Sequence, residues 1–186
     1  AMIGFDLSVA IEACYDNHGK RPNVYLAQGD IFNPPIRRDV ADRLYTFGVV
    51  QHTPDPEGAF RSLIPLVKEG GEIAVWVYRK MLIPQPQYWL RVFTAGMPEP
   101  RATRFIEWFT PRAMKVSGAL GSVPVAGKLL RRLIPVADYR DRLSLTEEEH
   151  QEWALMDTHD ALITRYTYPQ RWSDLLRWTR DLVEVK

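Results

Sequence analysis

His52 is the residue whose type and setting most directly suggest chemistry. It lies in Phe47-Gly48-Val49-Val50-Gln51-His52-Thr53-Pro54-Asp55-Pro56, a loop between an apolar run and a helical pattern. An imidazole exchanges its proton near neutral pH, so His52 could act as general base on an acceptor hydroxyl. A histidine in such a turn can also simply pack and orient it, and both readings stay open. Two acids sit at comparable points upstream. Asp6 follows the apolar run from Met2 to Phe5, and Asp30 lies in Gln28-Gly29-Asp30-Ile31. His159, beside Asp157 and Asp160, offers metal-ligand types, but one short stretch does not supply a defined coordination geometry. A solvated or capping role is read there, and no metal is expected. Cys14 has no catalytic partner nearby in the chain and falls in an apolar-patterned helix, so it is read as core.

Those positions need elements to hold them. Met2 to Phe5, Val24 to Ala27, Leu44 to Val50 and Ile73 to Tyr78 read as short strands. Ser8 can cap a helix over Val9 to Asn17, with Gly19 as its stop. Asp55 caps a second helix with Pro56 at its first position, and Phe60, Leu63, Ile64 and Val67 recur at helical spacing. Pro65 falls inside that pattern, where it removes a backbone hydrogen bond. The helix should therefore bend or end early, before the Gly70-Gly71 break. Strand, helix, strand, loop, strand, helix, strand implies an α/β fold with a mostly parallel sheet. In such folds ligands sit at the carboxyl edge, where the loop containing His52 must lie.

Beyond Arg79 the pattern changes. Proline, glycine and aromatic residues are frequent and no alternating strand pattern recurs, while helical pieces are suggested at Tyr88 to Phe93, Arg104 to Phe109 and Val125 to Ile134. This insertion reads either as a lid over a site or as a surface that buries its aromatics against a partner. Thr146 and Glu149 form a capping box for a helix reaching about Met156. A polar and aromatic segment from Asp157 to Tyr166 follows, then a helix from Trp172 to Leu182 and the start of a last strand at Val183 to Lys186.

The totals exclude several classes. With 24 Lys and Arg against 23 Asp and Glu, the chain lacks the clustered basic excess of a nucleic-acid-binding surface. No apolar run approaches the ~20 residues of a membrane helix, and one cysteine cannot form an internal disulfide. A soluble cytoplasmic protein with no nucleic-acid and no membrane partner is expected.

The motifs resemble the class I S-adenosylmethionine-dependent methyltransferases. The matching pieces are Gly4-Phe5-Asp6-Leu7-Ser8, Gln28-Gly29-Asp30-Ile31, the loop from Phe47 to Pro56, and Lys68-Glu69-Gly70-Gly71-Glu72, in the family's order over roughly the first eighty residues. The resemblance implies a Rossmann-like sheet and S-adenosyl-L-methionine as cofactor. Asp6 would then bind the ribose hydroxyls and Asp30 the adenine amino group. Leu7 and Ile31 would enclose the adenine, and Phe47 and Gly48 would pass beside the methionine part. Tyr78, Arg79, Arg165 and Tyr166 would face a small-molecule acceptor.

One departure matters. The family's glycine-rich turn should precede Asp6 by about twenty residues, and with it the family's first, central strand; only five residues stand before Asp6. The chain is thus read as a truncated core over 1–80, a helical insertion or lid over 81–145, and C-terminal helices with the start of a last strand over 146–186, completing the core. Weak cofactor affinity or none is expected, and the sheet's gap should drive homo-oligomer formation, unless the strand of Asp6 closes directly against that of Val50. A non-catalytic remnant acting as a binding or self-association module is the second reading. A nicotinamide-dependent oxidoreductase is the third.

Overall fold

A computed structural model describes residues 1–82, 86–94, 96–140 and 143–182. The elements in chain order are β1 (Met2–Asp6), α1 (Ala10–His18), β2 (Val24–Gln28), β3 (Ala41–Phe47), α2 (Pro56–Leu63) and β4 (Val67–Trp76). Then follow α3 (Pro86–Thr94), α4 (Glu99–Gly121), α5 (Gly127–Arg131), α6 (Glu147–Ile163) and α7 (Trp172–Trp178). Two compact units result: Ala1–Lys80 with Tyr168–Lys186, and Met81–Thr167. The last-strand expectation at 183–186 lies outside the described residues.

The first unit is α/β with parallel pairing, as its alternating pattern implies. Its strands form two separate two-stranded parallel sheets, β1 with β2 and β3 with β4. Among the described residues β1 and β3 each pair on one side only, so direct closure of β1 onto β3 does not occur. Met2 and Ile3 on β1 remain 66% and 51% exposed. A parallel strand is normally covered on both faces, so these apolar side chains mark an uncovered sheet.

Helix α2 begins as its sequence predicts. The Asp55 carboxylate accepts from the Gly58 N–H at 3.0 Å and Pro56 occupies the first turn. The helix stops at Leu63, and Ile64–Leu66 tighten into a 3₁₀ turn around Pro65, which has no N–H to continue the α ladder. That turn delivers the chain straight into β4 at Val67, six residues earlier than Ile73. The Gly70-Gly71 pair therefore interrupts a strand rather than closing a helix. Ala41 pairs with Val67 but Arg43 with Glu72, so the intervening residues of β4 bulge out, and Gly70 takes φ +75° there.

One side of β3–β4 is covered by helices. Ala59 and Phe60 of α2, Val50 and Trp178 of α7 form a buried cluster against which Ile31, Ile73, Val75 and Leu175 pack. The Phe60 and Trp178 rings stack at 5.9 Å.

The second unit is helical. Ala102, Ile106, Thr110, Ala113, Met114 and Ser117 make one buried stripe along α4. The piece predicted at 104–109 is thus the middle of a 23-residue helix that continues past Pro111. On α6, His150, Ala154, Thr158 and Leu162 recur every fourth residue and are all buried. This stripe carries the helix beyond Met156 to Ile163, so Asp157–Ile163 is helix and not a separate segment. The helix predicted over 125–134 shrinks to Gly127–Arg131. Among the described residues no helix is long and apolar enough to cross a membrane.

The capping box of α6 is formed: the Glu149 carboxylate accepts from the Thr146 N–H at 2.7 Å, and the Glu149 N–H donates to Thr146 Oγ1 at 3.3 Å. The bond from the Thr146 backbone, then that from its hydroxyl, holds the Glu149 carboxyl below its ordinary pKa. A lowered folded pKa stabilises above the unfolded value and is lost as pH falls through the folded one. Thr146→Ala is expected to destabilise the protein by about 1 kcal/mol at neutral pH. That difference should shrink below the ordinary carboxylate range, as read from urea midpoints at several pH values.

Candidate functional site

The carboxyl ends of the strands in the first unit gather most of the residues singled out in the sequence. At the end of β1, Asp6 lies opposite Gln28 of β2, and the Gly29 N–H donates to the Asp6 carbonyl at 2.9 Å. Asp6 and the loop bearing Asp30 are thus neighbouring strand exits. The Asp6 Oδ1 accepts from the Ser8 N–H at 2.7 Å and the Ser8 hydroxyl at 2.6 Å, which fixes the carboxylate at the turn. Among the described residues its Oδ2 receives no protein donor. Leu7, next along, is 67% exposed.

Asp30 is built alike. Its Oδ1 accepts from the Phe32 N–H at 2.9 Å, and its carbonyl from the Asn33 N–H at 3.0 Å, so the turn closes on itself. Ile31 turns the other way, packing on the Val50–Phe60–Trp178 cluster, while its carbonyl accepts from the Ser62 hydroxyl of α2 at 2.5 Å. This contact brings the exits of the two sheets together: Ile31 follows β2 and Val50 follows β3.

At the exit of β3, Phe47 is exposed and Gly48 takes φ +72°, its N–H donating to the Trp76 carbonyl at 2.9 Å. Val50–His52 form a 3₁₀ turn. The His52 ring stands edge-on to Tyr78 with centroids 5.4 Å apart, and Tyr78 stands edge-on to Trp76 at the same separation. Arg79 forms a short parallel bridge with Gln170, flanked by Tyr78 and Lys80: the Gln170 N–H donates to the Tyr78 carbonyl and the Lys80 N–H to the Gln170 carbonyl, both at 2.8 Å. Arg165 and Tyr166 belong to the second unit, where the guanidinium lies 5.3 Å from the Tyr166 ring centroid. Among the described residues no group of three His, Cys, Asp or Glu is placed to hold a metal.

Sequence reasoning missed Gln51. It is fully buried, and among the described residues neither side-chain heteroatom has a hydrogen-bond partner. Its Nε2 lies 3.7 Å from where a Cβ on Gly48 would be. A buried amide left unpaired is costly, so its place under the Gly48 turn marks it as part of this edge. A polar residue in a polar loop gives no sequence signal of such burial.

A family model described as "Methyltransferase domain" matches residues 1–75. The match spans β1 through most of β4, and so includes Asp6, Asp30, Gly48 and His52. Over 94 residues the chain is 31% identical to the chloroplastic 2-methyl-6-phytyl-1,4-hydroquinone methyltransferase of Spinacia oleracea, covering 48% of this chain and 25% of that protein. The chain therefore spans about a quarter of the length of the curated relative it matches. A solved structure of a candidate sarcosine dimethylglycine methyltransferase of Galdieria sulphuraria is similar at a TM-score of 0.44 and 12% identity, over 88% of this chain and 63% of that one. A candidate methyltransferase of Bacillus halodurans C-125 is similar at 0.39 and 14% identity, over 81% and 65%.

The turn at Gly48 depends on glycine for a definite reason. A Cβ at Gly48 would meet Trp76 at 3.6 Å and Gln51 at 3.7 Å, ordinary contact distances, so space is not limiting. The cost lies in the positive φ. Gly48→Ala is expected to lower stability by about 1–2 kcal/mol with an unchanged m-value in urea unfolding.

Proposed function

We propose that this chain carries the adenosine-facing part of an S-adenosylmethionine-dependent methyltransferase whose acceptor is a small molecule. The observation that carries the reading is the pair of strand-end acids within the family-matched segment. Asp6 and Asp30 stand on neighbouring parallel exits, each with one carboxylate oxygen held by its own turn and the other, among the described residues, left without a protein donor. A free oxygen on a fixed carboxylate suits the hydroxyls of a ribose or an exocyclic amine. The exposed Leu7 beside Asp6 offers an apolar face to a base. These residues fit the nucleoside half of the cofactor; the described residues contain no counterpart of the glycine-rich turn for its amino-acid half.

When bound, the cofactor supplies an electrophilic methyl group. The chain's own part is then chiefly alignment, which can contribute several kcal/mol to such a transfer without many obligatory side chains. Gly48 would let the backbone approach the methionine part of the cofactor, and Gln51 packs against the Gly48 turn. His52, held edge-on by Tyr78, is the group proposed to take a proton from an acceptor hydroxyl. The small-molecule class is supported by the printed name of the Spinacia oleracea relative.

Calorimetric titration with S-adenosylhomocysteine tests this. Saturable but weak binding is expected, and Asp6→Asn should weaken it about tenfold through the loss of charge-assisted hydrogen bonds. Heats that never saturate, or an Asp6→Asn protein that binds equally well, would sink the reading.

Self-association belongs to the same proposal. The unpaired sides of β1 and β3 and the exposed Met2, Ile3, Tyr45 and Phe47 support edge pairing between two copies, a two-fold contact that needs no second kind of partner. Light scattering is expected to give a mass above 21.5 kDa that rises with concentration. A constant monomer mass would refute it.

A further inference from the structure

Charge is not spread evenly along this chain. From Trp108 to Ala137 stand Arg112, Lys115, Lys128, Arg131 and Arg132, and no Asp or Glu. The net charge of +1 for the whole protein conceals this basic stretch, which runs from the second half of α4 through α5. Among the described residues neither Lys128 nor Arg132 forms an ion pair. A basic helix face is ordinarily the wet side of a helix whose apolar residues are buried. Here the apolar residues lie outside as well.

Val125 is fully exposed, and Leu129 and Leu133 are 66% and 63% exposed. Each leucine directly follows a base, Lys128 or Arg132, and Leu133 stands four residues after Leu129 in the turn that ends α5. Of α5 itself only Gly127 is buried. The connection from α4 is tight: the Val123 N–H donates to the Leu120 carbonyl at 3.2 Å, and the Ala126 N–H to the Pro124 carbonyl at 2.7 Å. Val125 is the apex of that three-residue turn, with φ +65°. Such a turn is strained, and a β-branched side chain is among the least suited to it. Glycine or asparagine would relieve the strain, yet the tip presents an isopropyl group to solvent.

We infer that the segment from Val123 to Leu133 docks on the surface of an anionic lipid bilayer. Val125, Leu129 and Leu133 enter the boundary of the acyl chains, and Lys128 and Arg132 meet the headgroup phosphates. Among the described residues no helix is long and apolar enough to cross a membrane, so the contact is with one leaflet only. A nucleic acid would use the bases and leave the valine and leucines without a role. Between Thr110 and Ala137 there is also no aromatic side chain on which a nucleobase could stack. The even charge totals point away from a membrane partner; the local arrangement points to one. This surface lies within the helical unit and does not rest on the cofactor reading.

The test is co-sedimentation of the full chain with vesicles of phosphatidylcholine alone and of phosphatidylcholine mixed equally with phosphatidylglycerol. Saturable binding to the anionic vesicles is expected, weakening as sodium chloride is raised, with little binding to the neutral ones. Lys128→Gln combined with Arg132→Gln should weaken it about twentyfold, at roughly fivefold per charge. Leu129→Ser should weaken it about tenfold. Val125→Asn separates docking from folding. Asparagine tolerates a positive φ, so thermal unfolding should move to higher temperature while vesicle binding falls about fivefold. Should Leu129→Ser fail to fold, Val125→Asn decides. Absence of saturable binding to the anionic vesicles, equal binding to the neutral ones, or apolar variants that bind like the parent would overturn the inference. So would glutamine variants that lose binding to a single-stranded oligonucleotide but keep the vesicles, or a Leu129→Ser chain that becomes monomeric and binds vesicles unchanged.

Discussion

A small apolar knot holds the first unit together. Val50, Ala59, Phe60 and Trp178 are its buried members, and they come from the exit of β3, from α2 and from α7. Because among the described residues β1–β2 and β3–β4 share no hydrogen-bonded ladder, neither sheet lends the other its backbone cooperativity. Ile31 bridges them instead, seating its side chain on the knot and its carbonyl on Ser62. Around the knot, Glu57 pairs with Arg61 and Arg177, but these are partly exposed ion pairs of small worth. Hydrophobic burial therefore sets the geometry, and the positions of Asp6, Asp30 and Gly48 follow from it.

Much of this was legible in the residues. The four strands announce themselves as apolar runs, and Asp55-Pro56 and Thr146-x-x-Glu149 state their helix starts with a mechanism attached. Pro65 gave the end of α2 for the same reason: a missing N–H. What stayed hidden depends on partners distant in the chain. Lys68-Glu69-Gly70-Gly71-Glu72 reads as a turn because it is polar and glycine-rich, yet pairing with β3 makes it a bulged strand. Pro111 masks the length of α4, which the buried contacts of its stripe sustain. Likewise the polar residues 157–163 hide a helix whose inward face continues as Thr158 and Leu162.

The candidate site divides in the same way. Asp6 could be picked out because it directly follows an apolar run, and Asp30 through the Gln28-Gly29-Asp30-Ile31 motif that carries the resemblance. Gln51 could not, since nothing in its neighbours foretells complete burial. His52 was legible as a titratable group, whereas its edge-on seat against Tyr78 depends on the register that brings β4's continuation beside the loop. Tertiary placement, more than residue type, separates these cases.

The burial of Trp178 has a practical consequence. Of the six tryptophans, Trp178 is 2% exposed, while Trp76, Trp89, Trp108, Trp153 and Trp172 are each at least 44% exposed. An indole shielded from water emits at shorter wavelength than a hydrated one, so the blue edge of this protein's fluorescence belongs to a single ring in the α/β unit. Loss of that blue component reports the opening of one knot of side chains.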